Sequence, residues 1–182
     1  MLEQFKNPFG SNSPAPVSAQ SSGKIVNYTK IARDVGVSDQ TVKTYFQILE
    51  DTLLGSFLPA FDQSVRKSQG KSPKFYLFDT GVVRALRRSI SSPVVESTHE
   101  FSELFEHFVV GELKRRAEYE AADFQFTFVG APNGKQIELI VDRSGKSKIA
   151  IEVKSTTSVR EDDTTELRQL GGDMKGTELF VF

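Results

Sequence analysis

Gln136-Ile137-Glu138-Leu139-Ile140-Val141-Asp142, then an Arg143-Ser144-Gly145 turn, then Ile149-Ala150-Ile151-Glu152-Val153-Lys154, is the stretch whose reading decides the fold. Alternation at period two puts Ile137, Leu139 and Val141 on one face and Gln136, Glu138, Ile140 and Asp142 on the other. In the second run Ile149, Ile151 and Val153 share a face, leaving Glu152 and Lys154 together on the opposite one. The apolar faces of the two runs coincide across a hairpin only if the loop holds an odd number of residues, because a one-residue slip exchanges the faces. A three-residue loop, Arg143-Ser144-Gly145, satisfies this, with glycine where a left-handed backbone is wanted. Glu138, Glu152 and Lys154 then gather on one side of the ribbon. Two carboxylates there can hold a hard divalent cation, and an ammonium can polarise an oxyanion or a water.

The rest of the composition narrows the chemistry. The chain has 182 residues, enough for one large or two small domains, with 38% hydrophobic and 26% charged residues. No apolar run approaches the roughly 20 residues of a membrane span and no signal-peptide pattern follows Met1, so a cytoplasmic location is expected. The absence of cysteine excludes disulfides, thiol nucleophiles and thiolate metal sites. With only two histidines, His99 and His107, any metal would be held by oxygen. The net charge of −1 conceals an asymmetry: residues 25–92 carry ten Lys/Arg against six Asp/Glu, and 93–182 eleven against seventeen. A basic first segment and an acidic second one suggest two functional units.

Residues 1–24, with three prolines and many Ser, Asn and Gly, read as a flexible leader or linker. Tyr28 to Tyr45 then has the spacing of a helix-turn-helix. Ala32 lets two helices approach, Gly36 takes the turn, Ser38 caps a second helix running to about Glu50, and Val42 with Tyr45 packs it back. Leu53–Phe61 and Lys74–Asp79 are β-like and aromatic, separated by a polar loop, and complete a winged helix over 25–92. Its aromatics, Phe57, Phe61, Phe75, Tyr76 and Phe78, alternate with other apolar residues and are expected in a core. Val82–Arg88 is expected to be a short helix. In such a fold Asp39, Gln40, Thr41, Lys43 and Thr44 would meet DNA, with Arg66, Lys67 and Lys71 of the wing reaching phosphates. The competing reading is a module that docks on a protein partner, since the charge excess is small for a DNA binder.

Residues 100–120 carry the longest helical pattern, in which Phe101, Leu104, Phe105 and Phe108 form a stripe containing Glu112. Glu112 is then either an inward carboxylate of the acidic site or the partner of Arg115, three residues on. Glu106 lies well away from that stripe, and His107 is assigned to the helix surface. Asp142 is read as an exposed residue near the turn. Phe124–Val129 is a further strand, 161–170 a helix and Glu178–Phe182 a last strand, after which natural sequence is expected to continue.

The order of a glutamate-bearing helix, a strand, an acidic hairpin ending in Glu152-Val-Lys154, a helix and a strand resembles the PD-(D/E)XK nuclease-like superfamily. More narrowly, the chain resembles the uncharacterised C-terminal module of bacterial and archaeal AAA-type ATPases. The matching residues are Phe46-Gln-Ile-Leu49-Glu-Asp-Thr-Leu53, Lys74-Phe-Tyr-Leu-Phe-Asp79-Thr-Gly81, Leu104-Phe-Glu106-His-Phe-Val109-Val-Gly-Glu112-Leu113 and the hairpin, over roughly residues 25–182. The resemblance implies an α/β (α+β) chain: a winged helix-turn-helix at 25–92 followed by a restriction-endonuclease-like mixed sheet flanked by helices at 93–182. It implies nucleic-acid interaction, with magnesium held by Glu138 and Glu152, Lys154 orienting water and Glu112 as a further ligand. The family usually has aspartate at the position of Glu138; glutamate carries the carboxylate about 1.5 Å further out. The competing expectation is a regulatory or protein-interaction module that kept the fold without its chemistry. No nucleotide is expected, because Gly-Lys-Ser at 70–72 and 145–147 lacks the earlier P-loop glycine, Val65 and Ile140 standing there instead. An ATPase domain or partner chain is the implied companion.

Overall fold

The computed structural model describes residues 14–62, 71–130, 135–156, 158–159, 164–172, 174 and 176–182. Among them it is a mixed α and β structure with six helices and two sheets. The chain divides into two compact units, one drawn from residues up to Phe57 and Phe75–Pro93, the other from Leu58–Lys74 and Val94–Phe182.

In the first unit, α1 (Pro14–Ser21) and β1 (Lys24–Ile25) precede α2 (Tyr28–Val35) and α3 (Asp39–Asp51), and α4 is Thr80–Leu86. Strands β2 (Gly55–Leu58) and β3 (Lys74–Leu77), whose end residues Leu58 and Lys74 are counted with the second unit, join β1 in the order β1-β3-β2. The helix pair forms for the reasons its sequence suggests. Asn27 and Ser38 cap α2 and α3 by accepting from Lys30 N and Thr41 N. Gly36 takes the left-handed position that ends α2, and Ala32 is buried where the helices meet. Tyr45, expected to pack α3 inward, is 40% exposed; Phe46, four residues after Val42, takes that role. Phe46 meets Phe75 edge-on at 4.9 Å, and Phe57 meets Phe75 at 5.2 Å. Gly55 is required beside this cluster: a Cβ there would lie 2.3 Å from Phe75 Cζ and 2.7 Å from Tyr76 O. Phe78, expected in the core, is about half exposed.

Of the stretch 1–24 expected as a leader or linker, residues 1–13 lie outside the described residues and 14–24 fold into the first unit. Ala19 is fully buried, its carbonyl accepts from Arg87 Nε at 3.0 Å, and Gly23 N donates to Phe75 O at 2.8 Å. The helix is short, with little amphipathic contrast in its sequence, and it packs through the small buried residues Ser18 and Ala19.

In the second unit, α5 (His99–Tyr119) and α6 (Thr165–Gly172) accompany a sheet ordered β4-β5-β6-β7. These strands are Phe124–Gly130, Gln136–Arg143, Lys148–Glu152 and Thr177–Val181; the first three run antiparallel and β6 pairs parallel with β7. The segment Pro59–Phe61 lies against β4, with Phe128 N donating to Pro59 O and Phe61 N to Phe128 O, so Phe61 belongs here and not to a wing. Ile140 and Ala150 pack with Leu167 of α6, while Leu139 and Val141, which alternate with Ile140, are also buried. Both faces of the sheet are therefore covered, so β5 is more apolar than a half-solvated strand would be.

The hairpin keeps the expected parity but not the expected register. Leu139 faces Ile151 and Val141 faces Ile149, so the loop between paired residues Arg143 and Ser147 is Ser144-Gly145-Lys146. This is a shift by two residues, which preserves the faces. Gly145 takes φ 72°, as the turn requires. The shift sets Glu138 and Glu152 directly across from each other, one step beyond the Leu139–Ile151 pair.

A second departure falls on the same residue. Thr127 pairs with Ile140 but Val129 with Ile137, so Glu138 and Leu139 together face the single residue Phe128. Such a bulge adds one residue to one strand and re-aims its side chains. It brings Ile137 onto the side of Ile140, where both join one cluster, although strict alternation had separated them.

The long helix α5 spans the expected residues, N-capped by Thr98, but turns a different side inward. Leu104, His107, Val109, Val110 and Ala117 are buried, while Phe108 is 52% exposed. His107 is thus not a surface residue. Phe101 and Phe105 stack on each other at 6.1 Å, and Phe105 meets Phe182 at 6.2 Å. The aromatic stripe marked a side contact instead of the main core.

A candidate site of three glutamates and two lysines

The candidate site lies in the second unit and is assembled by the hairpin. Glu152, the last residue of β6, is 2% exposed. Lys154 Nζ lies 2.8 Å from Glu152 Oε1. The other oxygen, Oε2, is buried and meets no N–H or hydroxyl donor. Leaving a carboxylate oxygen in that state is costly, and such an oxygen is a natural ligand for a cation or a donor for which the site is shaped. Glu138 lies beside it, accepting weakly from Val153 N at 3.4 Å. Burial, and then the hydrogen bond and charge of Glu152, push the Glu138 carboxyl up to about 8, with Glu106 adding to the rise and Lys74 opposing it. Near neutral pH the proton is therefore held at Glu138, beside Glu152.

Two further residues complete the site. Lys74, 3% exposed at the start of β3, donates to Glu106 Oε1 of α5 at 3.0 Å and lies 5.5 Å from the centre of the Phe128 ring. Neither Lys74 nor Glu106 was singled out from sequence. They are 32 residues apart, and Glu106 sits off the aromatic stripe that guided the reading of α5. A reading centred on Leu104, Val110 and Ala117 would have put Glu106 at the margin of the buried side.

The remaining expected site residues fall elsewhere. Glu112 is about half exposed and pairs with Arg115, so the local ion pair accounts for it and it does not join Glu138 and Glu152. Aiming α5 by its aromatics turned Glu112 inward, whereas the buried side of the helix lies nearly opposite. Asp142 pairs with Lys148, directly across the hairpin. On α3, Thr41 exchanges a hydrogen bond with Ser38 at 2.8 Å, and Thr44 donates to Gln40 O at 3.0 Å. Lys43 lies 5.5 Å over Tyr28, and Asp39 accepts from Thr29. Gln40 is exposed. Lys71 pairs with Asp62 at 3.1 Å within the second unit, while Arg66 and Lys67 lie outside the described residues.

Among the described residues, no group of three or more His, Asp or Glu is placed to hold a metal ion. Magnesium is commonly held by one or two carboxylates together with water and substrate phosphate; Glu138 and Glu152 are the residues that would hold such an ion here. No helix among the described residues is long and apolar enough to cross a membrane.

Comparison with known proteins assigns two domains. Residues 16–92 match a domain of unknown function (DUF8612), and residues 101–181 match another (DUF4143). An uncharacterized protein of Mycobacterium tuberculosis and one of Mycobacterium bovis are each 25% identical to the chain over 136 residues. That segment is 75% of this chain but 30% of each relative, so the chain spans under a third of their length. No solved structure matches.

Proposed function

We propose that this chain is an accessory module of an ATPase-type protein that interacts with nucleic acid, and that its second unit is a nuclease-like domain with a magnesium site at Glu138 and Glu152. The observation that carries the reading is the pairing of Glu138 with the buried carboxylate of Glu152, whose Oε1 holds Lys154. A bound divalent ion would supply charge neutralisation and an activated water for phosphodiester hydrolysis. Glu138 would give up its proton on binding, and Lys154 would orient the water or the scissile phosphate. Lys74 and Glu106 would hold the position of Glu138 from behind. The link to an ATPase is supported by the second domain type, typically associated with ATPase-like proteins, and by the greater length of the relatives.

The test is twofold. Binding to DNA across a salt series should weaken steeply with salt, and salt-independent or absent binding would sink the nucleic-acid reading. Cleavage of supercoiled and branched DNA with magnesium or manganese should be abolished in Lys154→Ala and Glu152→Gln; equal background in all three proteins rules out catalysis here.

A second reading, a regulatory protein-interaction module with a vestigial nuclease fold, is favoured by one feature of the first unit. Three polar side chains of α3 are spent locally, Thr41 on Ser38, Thr44 on the Gln40 carbonyl and Asp39 on Thr29. Retained cation binding without any nucleic-acid affinity would select this reading.

A further inference from the structure

Beside Lys154, within the second unit, lies an open cleft of about 480 Å³. That volume is within the roughly 300–1,000 Å³ usual for small-ligand sites. Its apolar wall is Phe101 and Phe105, stacked nearly parallel with 13° between their planes and backed by Phe182. Its polar wall is the run Lys154-Ser155-Thr156, which follows directly on Glu152. Ser155 is tied to α5 by a 2.6 Å hydrogen bond with Ser102, which holds the two walls together. At the rim, Ser97 adopts a left-handed backbone, φ 62°.

We infer that this cleft binds one unpaired nucleotide of a nucleic-acid strand, with its base against Phe101 and Phe105 and its phosphate at Lys154, Ser155 and Thr156. Flat aromatic walls take any base by stacking, and lysine and hydroxyl groups take the phosphate. Glu96, also on the lining, repels a phosphate and so sets the direction in which the nucleotide lies. Because Lys154 also touches Glu152, the phosphate next to a seated base is delivered to the carboxylate pair. The substrate class is therefore single-stranded nucleic acid, or a duplex with an extruded base, in preference to an intact duplex. This inference rests on the nucleic-acid reading of the same site.

The experiment uses the whole 182-residue chain in EDTA, with a labelled thymidine oligomer of about ten nucleotides and a duplex of equal length. The chain has no tryptophan, so Phe105→Trp adds a single indole reporter in the cleft. Its emission should be quenched as the oligomer is added. Phe101→Ala and Phe105→Ala should weaken single-strand binding about 5- to 100-fold. Duplex binding should change less. Unaltered affinity in both alanine variants, an emission that does not respond at saturation, or quenching by an apolar peptide but not by the oligomer overturns the inference. If the alanine variants fail to fold, the Phe105→Trp titration decides alone. The outcomes separate the claims: wild-type binding without cleavage removes catalysis and leaves the cleft, binding indifferent to the variants removes the cleft alone, and no binding to any nucleic acid removes both.

Discussion

Lys74 Nζ sits 3.0 Å from Glu106 Oε1, the lysine side chain 4% exposed and the glutamate 23%. A pair this secluded contributes little net energy when intact but is expensive to break, since one partner is then left charged in a poor solvent. Lys74→Ala should therefore destabilise the second unit by about 3 kcal/mol or more, read by urea unfolding. The double variant Lys74→Met with Glu106→Gln should recover a good part of that loss. Equal losses in the single and double variants would show that the charge pairing is irrelevant.

Glu138 predicts a pH dependence. Its folded value of about 8 lies above the ordinary 4.5, so between those values the folded state binds more protons than the unfolded one. Stability from this group is then fully present below about pH 4.5 and is lost as pH rises through 8. Thermal midpoints measured over that window should fall more steeply for wild type than for Glu138→Gln, which cannot titrate. Parallel profiles would place the proton elsewhere.

The same proton marks metal binding. At pH 7, magnesium or manganese binding at Glu138 and Glu152 should release close to one proton, measurable in weakly buffered solution with a pH indicator. Glu152→Gln should lose both the binding and the release. Binding in wild type without proton release would mean that Glu138 is not a ligand.

Glu112 should be dispensable. As an exposed partner of Arg115 it contributes about 0–1 kcal/mol, and Glu112→Ala should leave cation affinity unchanged. A tenfold loss of cation affinity would return Glu112 to the site.

Gly55 should tolerate nothing larger. Gly55→Ala drives a methyl into Phe75 and the Tyr76 carbonyl, at an expected cost of about 1–3 kcal/mol in the first unit. Circular dichroism melting is sufficient to see it.

Much of the local structure was legible in the residues themselves. Ser38 as a cap, Gly36 as a helix stop and the odd-numbered hairpin loop each depend on groups within a few positions of one another. Such signals are set by backbone geometry and survive any tertiary context. What tertiary structure decided involves residues far apart in the chain. The two-residue register shift and the bulge opposite Phe128 place Glu138 against Glu152, and the rotation of α5 buries His107 while exposing Glu112. The docking of α1 beside Phe75 and the meeting of Lys74 with Glu106 belong to the same class. Alternation and helical period define faces, but a sheet covered on both sides and a helix with apolar residues around most of its circumference leave the choice of face to packing. The sequence by itself therefore determined the elements after α1 and β1 and the acid-bearing hairpin, and only long-range packing decided which acids and which lysines meet.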